Sequence, residues 1–325
     1  MMKWRSMRSL QKVKVDRFPP YQGLEWDRKI RNPDNPNFWK YNVANLIFLD
    51  YIGDKKLVLD LGCGTGGASF FLAEHGEVRW IVGVDLVGDM IKVAKKNSID
   101  KRLDRKTSFL ICDGRHLPFK TSCFEALISR GDSFCFLVPL KRTVQELKRV
   151  LKHKGIMVLE MDNRVYWKPG TIISTSFQKT PDGRIAYRVE VFTIKRNHRA
   201  TSYVLDPNGK IAKSVMNDPE FRGKGCKSLK YPLQQIKEET LEIREGAPTH
   251  WPTVKELFTL FKKSGFTGVQ VIGDGLLMKL FLDGDELIIK AMKRYPQVFF
   301  EIEKRLVPCI NPDKAPTIIL RAIMP

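Results

Sequence analysis

The chain has 325 residues, 43% of them hydrophobic, which is ample for a buried core and for one large domain or two smaller ones. No apolar run reaches the roughly 18 residues needed to cross a bilayer, and the basic opening MMKWRSMRSLQKVKVDRF lacks the continuous apolar stretch of a secretory signal. Fifty-six Lys and Arg against 36 Asp and Glu give a formal charge of +20, a field that attracts polyanions such as nucleic acid or acidic substrates.

The basic residues are scattered. KVAKKNSIDKRLDRK, LKRVLKHK and VKELFTLFKK interleave lysines with apolar positions, the pattern of a lysine-rich, thermophile-like surface rather than a basic stripe. Cys63, Cys112, Cys123, Cys135, Cys226 and Cys309 show no C-x-x-C pair, so they read as reduced, mostly core residues of a cytoplasmic protein. No His/Cys/Asp/Glu cluster has metal-ligand spacing, and no metal is expected.

After the loop RNPDNPNFW, residues 40–51 carry apolar positions at helical spacing. Strand and helix then alternate. LVLDL, RWIVGVDL, TSFLICD, FEALISR and IMVLEMD read as strands, and GGASFFLAEHG, MIKVAKKNS and LKRTVQELKRVLKHKG as helices. Near-continuous apolar strands between amphipathic helices predict a doubly wound, mainly parallel α/β sheet. Beyond Asp162 the pattern turns two-periodic in IAYRVEVFTIKR, RATSYVLD, KIAKSVM and KSLKYPLQQIKEETLEIRE, with turn signals TPDG and DPNG. These predict an inserted antiparallel meander of hairpins. TVKELFTLFKKSG and TGVQVIG then read as helix and strand, one amphipathic helix spans about residues 286–306, and APTIILRAIM is the last strand. The expected division is 1–164 for the N-terminal segment and core, 165–250 for an inserted β-subdomain serving as a substrate lid, and 251–325 for the closing elements.

The first strand runs into LGCGTGG, whose glycines satisfy both G-x-G-x-x-G and G-x-G-x-G. A helix N-terminus after such a turn suits a pyrophosphate, which would mean a dinucleotide. Asp60 argues otherwise. Two positions before the first glycine, its carboxylate would crowd an anionic pyrophosphate, whereas the ammonium and sulfonium of S-adenosylmethionine would suit it. Asp85 ends the second strand about twenty residues on, where it can accept both ribose hydroxyls. Asp113 ends the third, where it can accept from the adenine amino group. Leu86 and the Leu117-Pro118-Phe119 turn offer apolar faces for the purine.

VLDLGCGTG, the GVDL acid and the CDG…LPF segment closely resemble the class I S-adenosylmethionine-dependent methyltransferases over about residues 40–162. The resemblance implies a seven-stranded Rossmann-like sheet with a last antiparallel strand in PTIILRAIM. It implies a cofactor turn of Gly62, Gly64 and Gly66, with Asp85 on the ribose and Asp113 with Gly114 on the adenine. Cys63 inside the turn and Arg130 after the fourth strand are taken as further cofactor contacts.

ISRGDSFCFL lacks the Asn-Pro-Pro-aromatic pattern that clamps an exocyclic base amine, and lacks a Pro-Cys nucleophile. SRGDSFCFL and MDNRVYW instead resemble segments of small-molecule methyltransferases related to glycine N-methyltransferase. That resemblance puts Asp132 where the group often has asparagine, and Arg164 on an arginine that holds a substrate carboxylate. Asp132 would favour an amine or act as a base; the alternative is an N-cap on the next turn. The expected activity is methylation of a small acid-bearing molecule at nitrogen or oxygen, with Asp132 and Arg164 as catalytic residues. The alternative is methylation of RNA or protein, with the basic loop FRGKGCKSLK docking phosphates. No oligomeric state follows from the sequence.

Overall fold

The computed structural model describes residues 23–163, 165–166, 172–180, 182–192, 198–246 and 249–325. Two helices come first, α1 (Gly23–Arg31) and α2 (Pro36–Ile52), the second started by Asn35, whose side chain accepts from the Asn37 amide. The apolar runs then form β1 (Leu57–Leu61), α3 (Gly67–His75), β2 (Trp80–Asp85), α4 (Gly88–Asp100), β3 (Thr107–Ile111), β4 (Phe124–Ser129), α5 (Leu140–Val150) and β5 (Leu151–Asp162). The two-periodic region holds β6 (Ile172–Lys179), β7 (Ile185–Phe192), β8 (His198–Leu205), α6 (Lys210–Asn217), α7 (Pro219–Lys224), β9 (Cys226–Ser228), α8 (Leu233–Glu238) and β10 (Thr240–Glu245). The closing elements are α9 (Val254–Lys263), β11 (Thr267–Asp274), α10 (Leu276–Asp283), α11 (Glu286–Arg294), α12 (Pro296–Leu306) and β12 (Thr317–Ile323).

Seven strands make one sheet in the order β11-β12-β5-β4-β1-β2-β3. β1 pairs in parallel with β2 and β4, and β4 with β5, while β12 runs antiparallel to both β5 and β11. This is the expected doubly wound sheet with its antiparallel last strand. The carboxyl ends of β1, β2, β4 and β5 therefore open on one edge, where such sheets bind ligands. A second, five-stranded sheet has the order β10-β8-β7-β6-β9. The chain accordingly divides into a smaller unit containing Ile172–Val191 and Arg199–Ala247 and a larger one containing Tyr21–Thr171 and Pro248–Pro325.

Four expectations need correction. The helix expected over LKRTVQELKRVLKHKG stops at Val150, and LKHKG joins β5, with Leu151 paired to Phe124 and Lys154 at a φ of 56°. Burial of Leu151 in the sheet outweighs the helical look of the lysine run. KIAKSVM is the helix α6, not a strand: Ile211, Ala212 and Val215 fall on one helical face and pack with Phe177, Tyr187 and Phe221 in the smaller unit's core. The single helix expected over 286–306 is two, because Pro296 brings no amide hydrogen and starts a new helix. KSLKYPLQQIKEETLEIRE is not strand throughout, since Leu233–Glu238 form the helix α8 between β9 and β10; helices α1, α7 and α10 were not anticipated.

Helix α2 is buried nearly all round, which fixes the site beneath it. Trp39, Val43 and Ile47 lie on one face, where the Trp39 ring meets Phe281 at 6.2 Å and Phe300 at 5.6 Å. Burying a ring of this kind is worth about 1.5–3 kcal/mol. The remaining face carries Lys40, Tyr41 and Asn45, all buried. Among the described residues no helix is long and apolar enough to cross a membrane.

Candidate functional site

The glycine turn is sewn to the second strand. The amides of Gly62 and Cys63 both donate to the Val84 carbonyl, at 2.7 and 3.0 Å. Gly62, Gly64 and Gly66 all take left-handed φ values, 68°, 53° and 90°, which is why this turn needs glycine. Their surroundings differ. A Cβ on Gly62 would lie 2.2 Å from the Ser133 side chain, whereas one on Gly64 would meet nothing nearer than Trp26 Nε1 at 3.8 Å. The open side of the turn is at Gly64.

Asp85 faces that opening. Its Oδ2 accepts from the Gly64 amide and its Oδ1 from the Val87 amide, both at 2.9 Å. Burial raises its pKa and the two amides oppose the rise. Each oxygen keeps a second lone pair, enough for two hydroxyls. Asp60 is buried under the turn and accepts from Ser69 Oγ at 2.6 Å. Burial pushes its carboxyl up to about 6, against the pull of Ser69 and then of Arg130. The Cys63 thiol is buried and pushed well up by that burial, so it packs rather than reacts.

Asp113 and Gly114 follow β3. Burial would raise the Asp113 carboxyl, but the Arg115 fork, at 3.0 Å from Nε to Oδ1 and 2.6 Å from Nη2 to Oδ2, holds it below the usual carboxylate range. An adenine amino group would therefore share this carboxylate with Arg115. A Cβ on Gly114 would lie 2.6 Å from Leu61 Cδ1 and 2.9 Å from Leu137 Cδ1, so the chain passes too close for a side chain. Of the apolar groups read as purine faces, Leu86 and Pro118 are exposed, Leu117 is buried, and Phe119 packs edge-on against Phe124.

Arg130, just past β4, donates from Nη1 to Asn45 Oδ1 at 2.7 Å, and its guanidinium lies 4.4 Å from the centre of the Tyr41 ring. A Cβ on Gly67 would come 2.7 Å from its Nη2. With Tyr41, Asn45, Gly67 and Phe71 it lines a cavity of about 190 Å³ that reaches the start of α3.

The next two residues are Gly131 and Asp132, at φ values of 70° and 65°. The Gly131 amide donates to Glu160 Oε2 at 2.7 Å, and the Asp162 amide to Asp132 Oδ1 at 2.6 Å. Lys40 Nζ lies 2.9 Å from Glu160 Oε1 and 2.6 Å from Asp162 Oδ1. Burial, then the Asp162 charge, pushes the Asp132 carboxyl well up, while Lys40 opposes. Asp132 does stand at the N-cap position of the short turn Ser133–Phe136, but its side chain makes no capping bond to it. Lys40 itself is pulled down by burial but raised on balance by Asp162 and Glu160. The cation among these acids is thus a side chain, and among the described residues no His/Cys/Asp/Glu group is arranged to hold a metal.

Arg164 and Trp167 lie outside the described residues. The structure instead adds Lys40, Tyr41, Asn45 and Glu160, none of which the sequence reading had singled out. One signal was available: a glutamate in the apolar strand IMVLEMD has to find a partner when buried.

Residues 58–155 match a family model described as a methyltransferase domain. Over 116 residues the chain is 28% identical to the probable S-adenosylmethionine-dependent methyltransferase CRG1 of Saccharomyces cerevisiae, covering 35% of this chain and 38% of that protein. Over 133 residues it is 29% identical to the probable tRNA methyltransferase 9B of Mus musculus, covering 38% of this chain and 27% of that protein. The chain thus spans well under half the length of these two relatives. Among solved structures it is similar to phosphoethanolamine N-methyltransferase 2 of Haemonchus contortus in complex with S-adenosyl-L-methionine. The TM-score is 0.54 at 15% identity, over 96% of this chain and 59% of that one. That likeness is one of fold.

Proposed function

We propose that this chain, whose residues 58–155 match a family model described as a methyltransferase domain, is a class I S-adenosylmethionine-dependent methyltransferase that methylates a small acid-bearing molecule at nitrogen or oxygen. S-adenosylmethionine is the cofactor of the family, and when bound it supplies a sulfonium methyl as the electrophile. The residues fit it: the turn is open at Gly64, Asp85 keeps free lone pairs beside it, and Asp60 is a buried acid near the turn. In this reading Asp85 accepts from the ribose hydroxyls, and Arg130, whose Nη1 alone is taken by Asn45, holds the cofactor carboxylate. Asp60 offsets the positive charge of the ammonium and sulfonium. Asp113 accepts from the adenine amino group, with Leu86 as an apolar face, and Gly114 beside Asp113 packs on Leu61 and Leu137.

The single observation that carries the acceptor side is the position of Asp132. It sits at the carboxyl end of β4, with one oxygen fixed by the Asp162 amide at 2.6 Å. Methyl transfer needs alignment of the nucleophile, exclusion of water, and a proton acceptor if the nucleophile brings a proton. Asp132 is that acceptor, which fits an amine or a hydroxyl. Arg164 holds the acceptor's carboxylate or phosphate in this reading, on the strength of the sequence.

The second reading, RNA or protein as acceptor, is favoured by the +20 charge and by the similarity to a probable tRNA methyltransferase. A methyl-transfer screen decides between them. Release of S-adenosylhomocysteine is followed with amines, hydroxy acids, carboxylic acids, RNA and proteins. Turnover of a small amine or hydroxy acid, abolished in Asp132→Asn, supports the first reading; turnover of RNA or protein alone overturns it.

A further inference from the structure

Asp132 can serve as a base if its carboxyl is aimed and if the rise that burial imposes on it is opposed. Both conditions trace to helix α2. The Gly131–Asp132 turn uses two successive left-handed residues, a conformation that outside support must maintain. Two bonds to β5 supply it: Gly131 N–H to Glu160 Oε2 and Asp162 N–H to Asp132 Oδ1. The two β5 acids in turn converge on one atom, Lys40 Nζ, at 2.9 and 2.6 Å. Lys40 is 3% exposed, so its charge is little screened by water.

The charged and titratable groups around Asp132 come from every packed element. Lys40 and Tyr41 belong to α2, Glu160 and Asp162 to β5, and Cys135 to the turn after Asp132, while Arg130, just past β4, stacks on Tyr41. Three carboxylates share one ammonium. Removing that ammonium would leave the acids to repel one another, and the proton would settle on the least anchored of them.

We infer that Lys40 is a positioning residue for the reaction: it fixes Glu160 and Asp162, through them it aims Asp132, and its positive charge offsets the negative charge of those acids beside Asp132. The inference rests on the proposed role of Asp132 as base. The direction of the electrostatics agrees, since burial and then the Asp162 charge push the Asp132 carboxyl up, Lys40 pulls it down, and Glu160 adds to the rise.

Infrared difference spectroscopy on the full chain, wild type minus Asp132→Asn, reads the protonated carboxyl of Asp132 against pH and needs no acceptor. Lys40→Met should move the midpoint up by about one pH unit or more, and Lys40→Arg, which keeps the charge, should hold it within about half a unit. Glu160→Gln keeps an oxygen for the Gly131 amide but removes a negative charge, so it should move the midpoint down. A purely structural role would lower the melting temperature of Lys40→Met and leave the midpoint in place, which would overturn the inference. If Lys40→Met does not fold, an unmoved midpoint in Glu160→Gln overturns it equally. Calorimetry of wild type with S-adenosylmethionine separates the two failures: no binding defeats the methyltransferase reading and leaves the titration result standing.

Discussion

The amide of Gly64 donates to Oδ2 of Asp85 at 2.9 Å, tying the glycine turn after β1 to the acid that ends β2. The bond sets the turn and the acid proposed to bind the ribose in one register, so a ligand on either meets both. Asp85→Ala should weaken S-adenosylmethionine binding by roughly ten- to a hundredfold, the loss of about 1.5–3 kcal/mol expected for a charge-assisted hydrogen bond. Titration calorimetry measures it, and wild-type affinity in the variant would remove Asp85 from the cofactor site.

The glycines of the turn should fail for different reasons. At Gly62 an added Cβ would lie 2.2 Å from Ser133, so Gly62→Ala should lower the melting temperature as well as binding. At Gly64 the space is open, and Gly64→Ala should fold with modest strain from its φ of 53° yet lose cofactor affinity. Paired melting curves and calorimetry read both. Intact binding in a folded Gly64→Ala would mean that the cofactor does not use this opening.

Asp60 predicts a pH dependence. Burial pushes its carboxyl up to about 6 in the free protein, and a positively charged cofactor prefers the ionised form. Below that pH the free protein holds a proton that binding must expel. Affinity should therefore rise as pH increases through about 6, level off above it, and lose this dependence in Asp60→Asn. A flat profile from pH 5 to 8 would contradict the role given to Asp60.

Glu303 should matter for stability and not for cofactor binding. Its buried carboxylate accepts from the amides of Gly275, Leu276 and Leu277, at 2.8, 2.5 and 2.8 Å, and so holds the start of α10. Glu303→Ala leaves those amides without their acceptor and should cost about 3 kcal/mol or more in chemical denaturation. A loss below about 1 kcal/mol would show that other groups take over.

Much of this was legible because it is local. The strand, the glycines, Asp60 and the spacing to Asp85 lie within one strand–turn–helix–strand unit, so the sequence carries their geometry directly. KIAKSVM was misread because seven residues fit both a period of two and a period near 3.6; burial against Phe177 and Phe221 decides for the helix. Of the setting of Asp132 only Glu160, a charge inside an apolar strand, left a trace in the sequence. Lys40 and Asp162 are 122 residues apart, and nothing local in the helix around Lys40 announces that its charged end is buried between two acids.

The charge of +20 gives a prediction about RNA. With basic residues scattered and few aromatic ones among them in FRGKGCKSLK, labelled RNA should bind weakly at near-physiological salt. Sub-micromolar binding, lost when Arg222, Lys224 and Lys227 are replaced together, would make RNA the leading acceptor.

In the proposed function the turn after β1 takes S-adenosylmethionine and not a dinucleotide. Calorimetric titration of the full chain with each ligand in turn tests it most directly. Saturable binding of S-adenosylmethionine, weakened in Asp85→Ala, and no heat with NAD are expected. Binding of NAD without binding of S-adenosylmethionine would contradict it.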